Sequence, residues 1–187
     1  MKSVEGYIFS AILTFLICAL PYAAIRYMII KKKKISFDKK RELTLMFFVI
    51  YIFWLCSVTI ITADISLSHM YNKFESGYMI NFNPFETMDR YVDFKNFDLS
   101  AVNLLGNVII FIPLGFFAPY FSKKCKNFFF GVFVSFLSSC AIEFLQLFMP
   151  RSVDIDDVIL NTLGGAVGAL IFAVYYFVKR RKSIEKQ

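Results

Sequence analysis

The sequence has little of what most soluble enzymes use for chemistry. It contains a single histidine, His69, and four cysteines without metal-binding spacing. Zinc sites are built from clustered Cys and His ligands, and many hydrolases pair a serine or cysteine nucleophile with a histidine. Because neither constellation is visible, the sequence predicts no metal site and no cofactor.

Charge is scarce as well. Only 19% of the 187 residues are charged, whereas 58% are hydrophobic, more than the polar shell of a soluble domain allows. The apolar residues form five stretches of the roughly 20 residues that cross a bilayer as a helix. The sequence therefore predicts an all-α, polytopic transmembrane bundle forming one membrane domain over residues 1–187. The five predicted spans are 7–30, 43–63, 101–121, 128–149 and 157–178.

Most of the 21 basic residues lie beside these stretches, in segments 31–42, 122–127 and 179–187. These three segments alternate correctly to share one side of the membrane. The positive-inside rule then places the N-terminus outside and the C-terminus inside. Basic runs next to spans predict membrane lipids as partners and argue against nucleic acid.

Three consecutive predicted spans carry polar residues one helical turn apart, which places each pair on one helix face. At 1.5 Å per residue, these faces reach similar depths, about 7–10 Å below the outer end of the bundle. We expect them to form one outward-opening polar site. The pairs are Asn103 with Asn107, Glu143 with Gln146, and Asp157 with Asn161.

Residues next to these spans complete the predicted ligand-binding set. Arg151 and Asp154 lie on the connection above the site, and Asn83 belongs to an Asn-Pro-Phe turn predicted at the membrane interface. Glu143 is also the candidate catalytic residue, because inserting an acidic group into a membrane costs at least about 2.5 kcal/mol and commonly serves function. The alternatives are that the asparagines only join helices and that the aspartates only cap the last helix.

Several blocks of the sequence, in order, resemble the VanZ-like membrane family over roughly residues 81–170. These blocks are NFNPFETM (81–88), NLLGNVIIFIPLGF (103–116) and EFLQLFMPRSVDIDDVILNTLGG (143–165). The resemblance implies a protein of the bacterial cytoplasmic membrane. The namesake of the family is associated with resistance to the glycopeptide teicoplanin, which implies a role in the response of the cell envelope to antibiotics.

Three functions are compatible with these features. The first is a binding protein whose polar pocket holds a lipid-linked cell-wall precursor or a lipoglycopeptide drug. The second is an intramembrane enzyme that modifies an envelope lipid with Glu143 as general acid or base. The third is an oligomeric lipid transporter or flippase. A lone carboxylate among amides is a weak catalytic signature, so the sequence favours binding over catalysis and leaves the oligomeric state open.

Overall fold

The computed structural model describes residues 4–33, 38–61, 65–77, 79–86 and 97–185. In this part of the chain there are six α-helices and one pair of two-residue strands. The chain divides into two compact units, Met1–Ala63 and Asp64–Gln187. The elements are α1 (Val4–Lys33), α2 (Lys39–Cys56), α3 (Leu67–Ser76), β1 (Ile80–Asn81), α4 (Phe97–Phe121), α5 (Phe128–Gln146), β2 (Val153–Asp154) and α6 (Ile155–Ile184).

Four stretches of the described chain are long and apolar enough to cross a membrane, so the all-α, multi-pass prediction is confirmed at this level. They are Lys39–Ile60, Leu104–Phe121, Phe128–Gln146 and Ile155–Ile184. The remaining predicted span, 7–30, falls within α1, where most side chains before Pro21 lie outside the described residues. Five spans and an external N-terminus therefore stay predictions.

In the first unit, α2 begins at an N-cap and ends in a π-helical turn. The Asp38 carboxylate accepts hydrogen bonds from the backbone N–H groups of Lys40 and Arg41, at 3.0 and 3.4 Å. This cap satisfies amide donors that have no partner within the helix. The π turn, Ser57–Ile61, continues α2 as far as the described residues extend there.

In the second unit, α6 packs against α4 and α5 through glycines. A Cβ atom on Gly164 would collide with the carbonyl of Val108, and one on Gly168 with the carbonyl of Ile112. Gly165 faces the side chain of Ser135 in the same way. The spacing Gly164-x-x-x-Gly168 is one that permits close helix approach, and in this protein it forms a close contact between helices.

We expect Gly168→Ala to destabilise the protein by about 1–3 kcal/mol, the usual cost of overpacking a tight contact. Gly106→Ala in α4 is the matched control, because a Cβ atom added there would have no described neighbour within 4 Å. That change should be neutral or stabilising by up to about 1 kcal/mol, since alanine favours helix. Apparent melting temperatures in detergent measure both effects. Equal melting temperatures for the two variants would contradict the close contact.

Candidate functional site

The two strands bring residues 80–81 to the start of α6. Ile80 pairs with Val153 and Asn81 with Asp154 in parallel register. The side-chain amide of Asn81 also donates to the Asp154 carboxylate at 3.2 Å. This pairing places residues 80–81 beside the connection that enters α6.

Asp154 is the N-cap of α6. Its carboxylate accepts a hydrogen bond from the Asp156 backbone N–H at 2.9 Å and is itself almost fully buried. Asp156 and Asp157 occupy the first turn of the helix, where negative charge interacts favourably with the helix dipole. Asp154 therefore caps the last helix, but it does not only cap it, because it also bonds to Asn81 and Glu143.

Glu143, near the end of α5, bonds to the connection that leads into α6. Its carboxylate is 6% exposed and accepts from the backbone N–H of Asp154 at 2.9 Å. The Gln146 amide is best satisfied with its nitrogen towards Glu143. In that orientation the nitrogen lies 3.2 Å from both carboxylate oxygens and from the Ser152 carbonyl. Glu143 and Gln146 thus share a face, as their spacing predicts, and together hold the 150–154 connection.

A second carboxylate of the first turn links α6 to α4. The Asn107 side-chain amide donates to the Asp157 carboxylate at 2.5 Å. The sequence predicts Asn103 on the same face of this helix, but its side chain lies outside the described residues.

Asp156 holds an unusual turn in place. Its side chain is fully buried and accepts a hydrogen bond from the backbone N–H of Phe85 at 2.6 Å. Phe85 has a φ of 70°, in the left-handed region that residues other than glycine rarely adopt. Such strain persists only where the surrounding structure enforces it, and it is common at functional sites. The sequence predicts a turn at Asn83-Pro84-Phe85 but gives no signal that Asp156 binds it.

The other predicted residues lie at the edges of this cluster. Asn83 is exposed, and its amide donates to the Glu86 carboxylate at 2.9 Å. Arg151 is exposed and close enough to act electrostatically on Glu143 and Asp157. Asn161, one turn further into the bundle than Asp157, donates to the Ser139 hydroxyl at 2.8 Å.

The Asn161 amide is half satisfied. Its carbonyl oxygen is buried without a hydrogen-bond partner among the described residues. A buried acceptor without a partner costs about 1–3 kcal/mol. The contact with Ser139 joins α5 to α6 and agrees with the interhelical alternative for this asparagine.

Lys73 is one of three cluster residues outside the predicted site, with Asn81 and Asp156. It lies on α3 with only 4% of its surface exposed, and its ammonium group donates to the Gln146 backbone carbonyl at 2.5 Å. Burial lowers the pKa of Lys73 below its ordinary value, and the nearby Glu143 carboxylate opposes this effect. Lys73 therefore adds a positive charge to a cluster that is otherwise rich in carboxylates.

The cluster defined by these contacts, here called the cap cluster, lies where α5 ends and α6 begins. Its members are Lys73, Asn81, Asn107, Glu143, Gln146, Asp154, Asp156 and Asp157. The helices and this buried polar cluster define a multi-pass membrane protein with a hydrogen-bonded acidic cluster at one end of its bundle.

A sequence model of the VanZ/LLP1 family matches residues 45–177, and the chain belongs to this family. The match confirms the resemblance seen in the sequence and extends it into α2. No curated protein and no solved structure shows significant similarity to the chain.

Lys73 predicts a pH dependence of stability. Between its lowered pKa and 10.5, the unfolded chain binds more protons at this position than the folded chain. The free energy of unfolding should therefore rise with pH in that window, and Lys73→Met should lose this rise. Melting temperatures measured from neutral pH to 10.5 test this, with the exposed Lys126→Met as control. An equal rise in the native protein and in Lys73→Met would refute it.

The left-handed φ of Phe85 predicts that glycine at this position relieves backbone strain. A left-handed φ costs a non-glycine residue about 1–2 kcal/mol, whereas glycine adopts it freely. We expect Phe85→Gly to be at least about 1 kcal/mol more stable than Phe82→Gly, because Phe82 lacks a positive φ. Both side chains are more than half exposed, so the two changes remove similar packing. A lower melting temperature for Phe85→Gly than for Phe82→Gly would show that the turn is not strained.

Proposed function

We propose that this VanZ/LLP1 protein lowers susceptibility to teicoplanin-type lipoglycopeptides at the outer face of the bacterial cytoplasmic membrane. It does so by binding either a lipid-linked cell-wall precursor or the drug itself. The observation that carries the proposal is the cap cluster, which holds an exposed aromatic turn and an exposed arginine at one end of the bundle. The positive-inside rule places this end outside the cell.

The apolar face of α3 supports a site in the membrane interface. Leu67, Tyr71 and Phe74 recur at the spacing of one helix face and are 70, 65 and 61% exposed. The same helix is tied to the end of α5, since Lys73 bonds to Gln146 and the Ser66 backbone N–H donates to the Phe148 carbonyl at 2.8 Å. A short helix with such a face at the end of a span fits the headgroup region of a bilayer.

The exposed groups have the chemistry that a lipid-tailed ligand requires. Phe82 and Phe85 are 68 and 55% exposed and offer apolar surface to an acyl chain or a sugar ring. Arg151 offers the fork of donors that binds carboxylate or phosphate. A lipid-linked precursor and a lipoglycopeptide both combine an apolar tail with polar groups of this kind.

In this proposal the buried carboxylates position the binding groups. Glu143 fixes the connection that carries Arg151, because it accepts the Asp154 N–H. Asp156 fixes Phe85 through the backbone N–H. Loss of either carboxylate would leave buried donors unpaired, which costs about 1–3 kcal/mol for each group, and would release the surface above.

The alternative function is an intramembrane enzyme that acts on an envelope lipid. The observation that favours it is a buried carboxylate, Glu143, close enough to act electrostatically on a buried amine of lowered pKa, Lys73. Groups with altered pKa values are common in catalytic sites. In this case Glu143 would move a proton and Arg151 would stabilise negative charge.

The test is drug susceptibility of a sensitive Gram-positive host that expresses the chain, with vancomycin as the comparison drug without a lipid tail. The native protein should raise the inhibitory concentration of teicoplanin several-fold and leave that of vancomycin unchanged. Glu143→Gln, Arg151→Gln and Phe85→Gly should each reduce this effect at matched membrane levels. Lys124→Gln, an exposed change in the 122–127 segment, is the control and should behave as the native chain.

Phe85→Gly separates function from folding, because the strain argument predicts a stable protein that has lost an aromatic contact. Loss of resistance with a melting temperature no lower than that of the native chain would support binding at this surface. If expression of the native chain does not change teicoplanin susceptibility, the proposal is wrong. Retained binding of the drug or the precursor by purified Glu143→Gln, with resistance lost, would favour the enzyme.

A further inference from the structure

The first unit contains a groove between α1 and α2 that the proposed function does not use. Its volume is about 580 Å³, within the range of roughly 300–1,000 Å³ typical of small-ligand sites. Tyr22, Tyr27 and Ile30 line it from α1, and Leu43 and Met46 line it from α2. Nearly all of its lining surface is apolar. Most of these residues precede residue 45, where the family match begins.

An ion pair fixes the two walls of the groove. The Arg26 guanidinium donates to both carboxylate oxygens of Glu42, through Nε at 2.5 Å and Nη2 at 3.0 Å. A two-point contact of this kind sets geometry as well as charge. Because the two charges offset each other, this ion pair adds no net charge to the groove, and the side-chain stems present apolar surface.

Lys39 lines one end of the groove, and the chain that joins α1 to α2 at this end is strongly basic. Residues 26–42 include eight basic and two acidic residues. Both acidic residues are engaged, Glu42 with Arg26 and Asp38 as the cap of α2. The exposed basic side chains in the described part of this segment are Lys31, Lys32, Lys39, Lys40 and Arg41.

We propose that this groove binds an anionic phospholipid, with an acyl chain between α1 and α2 and the phosphate beside Lys39 and Lys40. The candidate span begins at Lys39. The basic end of the groove therefore lies at the membrane surface, where lipid headgroups are found. Basic pockets between membrane helices attract anionic headgroups, and each lysine near the surface contributes about 1 kcal/mol. An apolar groove with a basic end matches both parts of such a lipid.

The experiment is native mass spectrometry of the full chain released from nanodiscs that contain equal amounts of phosphatidylglycerol and phosphatidylcholine. We expect several-fold more phosphatidylglycerol than phosphatidylcholine to remain bound. Ala23→Phe, which fills the groove, and the double variant Lys39→Gln with Lys40→Gln should each reduce this preference at least threefold. Lys123→Gln with Lys124→Gln removes the same charge from another exposed basic segment and should keep the preference.

Three outcomes would overturn the proposal. Equal retention of the two lipids would show no selectivity for anionic headgroups. Equal losses in the two double-lysine variants would show a general attraction to basic surface. If Ala23→Phe keeps the preference for phosphatidylglycerol, the groove does not hold this lipid. A change in oligomer mass in that variant would indicate that a second copy of the chain occupies the groove. The melting temperatures of all variants distinguish a loss of lipid binding from a loss of folding.

Discussion

Asp154 is bonded through both its backbone and its side chain, and three parts of the chain meet at it. Its N–H donates to Glu143 of α5, and its carboxylate caps α6 and accepts from Asn81 of β1. Polar groups buried at the end of a bundle are normally hydrogen-bonded, because each unpaired group raises the free energy of the fold and lipid chains offer no replacement partner. The contacts at Asp154 meet that requirement.

The same requirement explains why the cap cluster reaches into the segment before α4. Four buried or half-buried carboxylates lie close together, and two of them accept hydrogen bonds from this segment. The Asn81 amide donates to Asp154, and the Phe85 N–H donates to Asp156. The Lys73 ammonium donates to the Gln146 carbonyl and is close enough to interact electrostatically with Glu143. In this arrangement the backbone of Phe85 adopts a strained, left-handed φ, and its ring is exposed.

The two units handle buried charge differently. In the first, Arg26 and Glu42 offset each other within one contact, and the groove beside them is apolar. In the second, carboxylates outnumber the cations, and backbone and amide donors make up the difference. The first arrangement suits a ligand that has an apolar chain and a charged headgroup. The second suits a rigid support for residues on the surface above it.

The sequence by itself determined the features that repeat along one helix. Apolar length predicted the four spans found in the described residues, and one-turn spacing put Glu143 with Gln146 on one face. The spacing of Gly164 and Gly168 is likewise a local pattern that permits close packing of α6. These signals are local, and the helix period converts them directly into faces. Only the tertiary structure decided which faces meet. Lys73 bonds to a residue 73 positions away, and Phe85 to one 71 positions away. Such contacts depend on the path of residues 65–86, whose short helix and two-residue strand leave too brief a pattern for the sequence to reveal.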